Sequence, residues 1–245
     1  MPSLLEVKNI SKKYGKKEVL KNLSFIMGSG QIIGLLGPNG AGKTTSFYII
    51  VGFIQSQGGS IKLDGEELIN KPMYKRARAG ISYLPQDSSI FRKLSVEDNI
   101  KLVIQTRKNL SRSERKELLE SLITDFGLQK IRKQLGYTLS GGERRRTEIA
   151  RALALSPKFL LLDEPFSGID PKAIQEIKVI INKLKHNDIG ILLTDHNFRD
   201  TLEITDTTYI ISEGEILVSG STEELKSNKM AVDVYFGRDI ANQEW

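Results

Sequence analysis

Apolar and polar positions divide the chain into stretches of different period. Over the first third the apolar residues come in short runs with strand character. "LLEVKNI" (4–10) and "NLSFIM" (22–27) predict two strands with "KKYG" turning between them. "QIIGLLG" (31–37) is a short apolar run feeding a glycine-rich loop, and "SFYIIVGFI" behind it suits the helix that follows. "SIKLDG" (60–65) predicts another strand, ended by an Asp-Gly turn.

The period changes after "ISYLPQ" (81–86), and from Asp87 to Thr138 the pattern is helical. Ser95 can cap "SVEDNIKLVIQ". Ser111 with Glu114 forms a capping box before a helix carrying Leu118, Leu119, Leu122, Ile123 and Phe126 on one face, with Gly127 as its stop. "PKFLLLDEP" (157–165) shows no alternation, as a strand buried on both faces of a parallel sheet requires. A helix over 172–185 and the strand "IGILLTDH" (189–196) complete a βαβ pair, and "TTYIISEGEILVSG" predicts a hairpin turned at Glu213-Gly214. Short helical patterns close the chain. The pattern predicts one α/β domain spanning 1–245, with a core lobe from 1–86 and 139–245 and a helical subdomain inserted at about 87–138.

Composition narrows this picture only slightly. At 245 residues the chain is long enough for a substantial core. It has no cysteine, which excludes disulfides and thiolate metal sites. Its N-terminal stretch lacks the apolar core and cleavage site of a signal peptide, and its longest apolar run, "FYIIVGFI", is too short to cross a bilayer. The net charge of +6 fits a hydrated basic surface, and equally an anionic partner such as nucleic acid or a membrane face.

The chemistry lies at the strand ends. Gly37-Pro38-Asn39-Gly40-Ala41-Gly42-Lys43-Thr44 matches GxxxxGK[ST] between a strand and a helix. In that arrangement backbone amides curl around phosphate oxygens, Lys43 reaches the β- and γ-phosphates, and Thr44 holds Mg²⁺. A nucleoside triphosphate is the expected ligand. "FLLLDE" places Asp163 where a second Mg²⁺-directed carboxylate belongs, with Glu164 beside it as candidate base for an attacking water. By itself such an acidic pair could equally cap a turn. His196 emerges at the tip of a buried strand, where a γ-phosphate contact competes with a hydrogen-bonded core role. His186, at a polar helix end, is expected on the surface. A second glycine-rich helix start, "LSGGERRR" (139–146), pairs Ser140 with Glu143 as a capping box and sets three arginines in the first turns.

Taken together, these motifs resemble the ATP-binding cassette (ABC) ATPases along essentially the whole chain. "LSGGE" is similar to the family signature, Gln86 in "YLPQ" to its Q-loop, "SGID" (167–170) to its D-loop and His196 to its switch histidine. The resemblance implies a P-loop α/β core with an N-terminal antiparallel β subdomain and an inserted helical subdomain. It also implies ATP and Mg²⁺ as ligands, with Thr45 in the phosphate set, Tyr14 stacking on adenine and Gln86 near the metal. Two such chains pack head to tail in this family, so Ser140, Gly141, Gly142 and Glu143 would serve the partner's ATP. The stretches "RARAGISYLPQDSSIFRKLSVEDNI" and "LSGGERRRTEIARAL" resemble the ATPase subunits of lipopolysaccharide exporters of Gram-negative bacteria, with branched-chain amino acid importers close behind. This implies a homodimer beneath two integral inner-membrane subunits, on the cytoplasmic face, touching the membrane through those subunits. Phe91 and Arg92 lie where such a subunit would dock, although Phe91 could instead fill the core of the helical lobe. DNA-associated relatives carry the same signature but have long coiled-coil arms that this chain lacks, so no nucleic acid is expected.

Overall fold

Residues 2–233 are described by the structure, a computed structural model. β1 (Leu4–Tyr14) and β2 (Lys17–Gly28) form a long antiparallel hairpin. β3 (Ile32–Leu36) leads into the glycine loop and α1 (Lys43–Val51). β4 (Gly58–Leu63) pairs with β1, and the short β5 (Glu66–Glu67) pairs with β4, which completes an antiparallel sheet of order β2-β1-β4-β5. α2 (Met73–Ala79) and β6 (Ile81–Leu84) follow. The chain then leaves the sheet for α3 (Val96–Ile104), α4 (Arg112–Asp125) and α5 (Gly141–Leu153). It re-enters at β7 (Phe159–Asp163) and continues through α6 (Pro171–His186), β8 (Gly190–Thr194), α7 (Phe198–Ile204), β9 (Thr207–Ser212), β10 (Glu215–Gly220) and α8 (Thr222–Ser227). The second sheet has the order β10-β9-β3-β8-β7-β6, parallel except for the β9–β10 hairpin.

The unalternating strands of this sheet are buried on both faces. Ile32, Leu84, Leu160, Leu162, Ile191 and Leu193 pack with α3–α6, while Ile33, Leu35, Ile81, Phe159, Leu161 and Leu192 pack with α1 and the antiparallel sheet. The helical segment shares its core with the first of these faces: Ile100, Leu119, Leu122, Ile123 and Phe126 join the cluster containing Leu160 and Leu162. Leu118 is partly buried against it. Ser95 and Ser111 cap α3 and α4 as the pattern predicts, and Gly127 takes φ 62° just past the end of α4.

Several boundaries move, each for a local reason. "KKYG" continues the β1–β2 ladder to the pair Tyr14↔Lys17, so the turn falls later than the sequence pattern suggests. Asn9 and Asn22 adopt φ 52° and 55°, and the register shifts between Val7 and Ile10, which lets the hairpin bend without ending. Gly52, at φ 89°, ends α1 before Phe53. The buried Arg76 donates to the carbonyls of Ile49 and Ile50, two of the acceptors that a helix end leaves unpaired. α2 and α7 escape the periodicity altogether: each has only seven residues, α2 burying Arg76 alone and α7 burying Thr201, Leu202 and Ile204, too short a run to set a stripe. The expected closing helices extend as far as α8 and a single turn over Lys229–Ala231; positions 234–245 lie outside the described residues.

Candidate nucleotide-binding site

The glycine loop closes between β3 and α1 because its backbone can go where a side chain cannot. Gly42 has φ 109°, and a Cβ there would lie 2.8 Å from the Val19 carbonyl oxygen and 2.6 Å from Leu20 Cδ2. No side chain caps α1, so its first amides and positive end face the pocket uncontested. The Lys43 ammonium donates to the carbonyls of Gly37 (2.7 Å) and Pro38 (3.1 Å), and burial lowers its pKa. A pocket of about 160 Å³ is lined by Val19, Asn39, Gly40, Gly42, Lys43, Thr44, Thr45, Glu164 and His196. Residues far apart in sequence thus meet at the ends of β3, β7 and β8. Gly37 and Pro38 reach this site through Lys43. Ala41 is buried in the loop and receives Gly214 N–H on its carbonyl. Tyr14 sits half exposed at the end of β1, with Lys12 Nζ 5.4 Å from its ring centre, and does not line the pocket.

Asp163 ends β7 and is 2% exposed. Tyr83 donates its hydroxyl to one carboxylate oxygen at 3.1 Å, while the other, Oδ1, is buried without a hydrogen-bond partner. Burial raises the pKa of both residues. An unpaired carboxylate oxygen that feels the charge of Lys43 on the phosphate loop is a donor that suits a hard divalent cation such as Mg²⁺.

Glu164 stands in the left-handed region at φ 47°, a strained conformation of a kind that clusters at functional sites. Its side chain is held from both sides: Gln86 Nε2 donates to Oε2 at 2.5 Å, and His196 Nε2 lies 2.7 Å from Oε1. Its own N–H donates to the Thr194 carbonyl at 2.8 Å. The strain persists because the surrounding backbone is pinned. Arg145, 6% exposed, donates to the carbonyls of Pro85, Asp163, Glu164 and Pro165 at 3.0–3.2 Å. Buried Asp195 accepts from the amides of Phe166 and Asn197, both at 2.9 Å, and so fixes the loops on either side of Glu164 and His196.

At the second glycine-rich start, Ser140 and Glu143 form the predicted reciprocal box. None of residues 140–143 lines the pocket around Lys43. A Cβ on Gly142 would lie 2.6 Å from Ala173 Cβ, so the glycine lets α5 abut the start of α6. Two of the three arginines at this start are held within the chain. Arg145 turns inward to backbone carbonyls, and Arg146 pairs with Glu176 on α6. Beyond the Q-loop, Phe91 is 49% exposed, its backbone held by Asn99 and its ring 5.4 Å from the Arg151 guanidinium. Arg92 is exposed. Glu148 accepts from Ser88 Oγ and from the amides of Ser89 and Ile90, which ties this exposed loop to the helix that carries Arg145.

Sequence reading passes over Arg145, Glu148, Asp195 and Asn99. One signal was available for the first pair: Arg145 and Glu148 fall three apart, with Arg145 in line with Ile149 and Leu153 on the inward face of α5. A charge at an apolar-period position is buried only with partners.

A phosphate loop between strand and helix, facing an acidic strand end and a histidine, defines a P-loop nucleoside triphosphatase. The comparisons narrow the class. Residues 20–167 match the ABC transporter family model. The chain is 47% identical to the lipopolysaccharide export system ATP-binding protein LptB of Haemophilus influenzae, covering 97% of this chain and 99% of that protein. It is 46% identical to the protein of the same name from Escherichia coli K12, covering 96% and 98%. Among solved structures, an ATP-binding cassette of an ABC transporter in its ADP conformation superposes with a TM-score of 0.85 at 25% identity, over 96% of this chain and 99% of that one. The chain belongs to the ABC transporter ATP-binding family and is an ATPase.

Proposed function

We propose that this chain is the ATP-hydrolysing subunit of a lipopolysaccharide exporter, acting as a homodimer on the cytoplasmic face of the inner membrane beneath two integral membrane subunits. The observation that carries this reading is the near-full-length identity to proteins named for lipopolysaccharide export, combined with a complete set of site residues.

The chemistry follows from the geometry. Backbone amides at the start of α1 and the Lys43 ammonium hold the β- and γ-phosphates; Lys43 exchanges its two loop carbonyls for phosphate oxygens, its stronger acceptors. Thr44, Asp163 and Gln86 would hold Mg²⁺, which when bound supplies positive charge to the phosphate oxygens. Glu164 polarises the attacking water and takes its proton. His196, already in contact with Glu164, moves to the γ-phosphate and keeps the carboxylate aimed. Water oxygen bonds to the γ-phosphorus as the bond to the β,γ-bridging oxygen breaks, leaving ADP and phosphate. Tyr14, half exposed at the end of β1, stacks on adenine. Ser140 and the amides of Gly141 and Gly142 lie outside their own chain's pocket, which suits a role on the partner's γ-phosphate. Glu143 closes that helix start.

The Phe91 loop links transport to this chemistry. Its exposed ring and Arg92 are offered to a membrane subunit, and Glu148 and Arg145 connect the loop to the backbone of Glu164. Co-purification from detergent-solubilised inner membrane should recover two lipopolysaccharide-export membrane subunits. Phe91→Ala should leave the isolated protein folded and hydrolysing ATP while losing those partners. Recovery of amino acid importer subunits, or partner binding unchanged by Phe91→Ala, would overturn the proposal or its docking element respectively.

A further inference from the structure

Outside the catalytic pocket, α3 and α4 run side by side with a furrow of about 430 Å³ along their seam. Its apolar part is formed by Ile104 and Leu119, 1% and 5% exposed. Two acids, Glu97 and Glu120, also line it, and both are already committed. Arg132 donates to Glu97 at 2.9 Å and doubly to Glu120 at 2.8 Å, and Lys133 adds a 2.6 Å pair to Glu97. What remains is cationic. Lys101 on α3 and Arg112, Arg115 and Lys116 on α4 line the same furrow, and none of the four makes a salt bridge among the described residues; Lys116 acts on Glu120 only at longer range.

This arrangement is unfavourable as it stands. Arg112, Arg115 and Lys116 are spaced i, i+3, i+4 on one helix face, where like charges repel. Arg115 gives one guanidinium nitrogen to the Arg107 carbonyl at 2.9 Å, but its Nε is buried without an acceptor. Buried donors ordinarily find a partner. A multidentate oxyanion would relieve both features: it neutralises the facing cations and supplies the acceptor that Arg115 lacks. Its geometry matches a guanidinium fork.

We propose that the α3–α4 furrow is a binding site for a phosphate oxyanion, held by Lys101, Arg112, Arg115 and Lys116 and distinct from the ATP site. That chemistry is shared by a lipid headgroup and by a soluble polyphosphate, and two arms of one experiment separate them. In the first arm tripolyphosphate is titrated into the full chain by calorimetry, with saturating Mg-ADP occupying the phosphate loop. In the second arm the full chain is floated with vesicles of equal parts phosphatidylcholine and phosphatidylglycerol. Lys101→Gln/Lys116→Gln removes two exposed furrow charges that make no side-chain hydrogen bond, while Lys62→Gln/Lys75→Gln removes the same charge from β4 and α2 as a control. Basal ATP hydrolysis reports folding of both. In at least one arm the furrow variant should bind about tenfold more weakly or worse, as expected for lost charge-assisted contacts, with the control near parental. A response confined to tripolyphosphate identifies a soluble phosphate; one confined to vesicles identifies a headgroup. Absence of parental binding in both arms, or equal losses in the two variants, would overturn the site. Arg115→Gln gives a second check, because it should abolish the ligand-induced rise in melting temperature seen with the parent.

Discussion

The starts of α1 and α5 are both glycine-rich, yet they are finished in opposite ways. α1 begins from a left-handed Gly42 with no side-chain cap, and its first turn opens onto a pocket shared with Glu164 and His196. α5 begins from Ser140 in extended conformation, and its box with Glu143 satisfies the Ser140 and Glu143 amides from within. The amides of Gly141 and Gly142, the first two of the helix, are left without an acceptor among the described residues. The first start is therefore built to wrap a ligand. The second is self-supporting and holds a small, rigid pair of donors in reserve, which is the form suited to a group delivered by another molecule. α3 provides the reference case: Ser95 caps it, and Glu97 and Asp98 in its first turn set the protein's own negative charge at its positive end.

The largest effect is expected where the α1 pocket meets its acid. Glu164→Gln preserves shape but cannot take a proton, so hydrolysis should fall by about a hundredfold or more while nucleotide affinity is kept. A stable ATP-bound dimer should then accumulate on gel filtration. Near-parental turnover at saturating Mg-ATP would remove Glu164 from the role of base.

The contrast between the two helix starts is sharpened by mixing. Gly141→Asp should spare nucleotide binding by the single chain and abolish ATP-driven dimerisation, because a carboxylate would face phosphate. A Cβ at 141 also lies 3.1 Å from Ile169 Cγ2 and 3.3 Å from the Gly168 carbonyl, so Gly141→Ala separates crowding from charge. Gly141→Asp mixed with Lys43→Ala should regain one composite site and part of the activity. Failure to recover with heterodimers demonstrated would break the assignment of the α5 start to a partner's ATP.

A smaller effect is expected from Arg145→Lys, which keeps the charge but cannot reach four carbonyls as a planar fork. Turnover should drop about tenfold, equivalent to about 1.4 kcal/mol of lost positioning, with KM for ATP little changed. Unchanged turnover would mean that the Glu164 backbone holds its strained shape without this fork. The smallest effect concerns α3. Hydrogen bonds from Arg132 and Lys133 hold the Glu97 pKa down to about 2. A depressed carboxylate contributes stability that is present above its ordinary range and is lost as pH falls through its folded value. Denaturation of the parent and of Glu97→Gln should therefore differ near pH 5 and converge toward pH 2. A constant difference across that window would contradict the pairing.

Much of this molecule can be read from local pattern. The phosphate loop, the capping boxes of α4 and α5, the unalternating strands and the Asp-Gly and Glu213-Gly214 turns each follow from interactions within a few residues, so their sequence signals are short and strong. α2 and α7 give no such signal because a helix of seven residues, about two turns, is too short to establish a period. The same limit applies to charge: three adjacent arginines look alike in sequence, and it is packing that sends Arg145 inward and pairs Arg146 with Glu176 of α6.

The sequence by itself determined the kind of chemistry, because cradling phosphate demands particular residues at fixed short spacing: glycines for backbone approach, a lysine and a threonine just beyond. Tertiary structure alone decided how those residues are held. Glu164 is bonded to Gln86 and His196 across separate elements, and its left-handed backbone is clamped by a guanidinium from α5. The furrow between α3 and α4 likewise exists only once two helices lie together. A contact between distant segments depends on where the sheet and the shared core bring them, and that placement is a property of the whole packed chain rather than of any stretch within it.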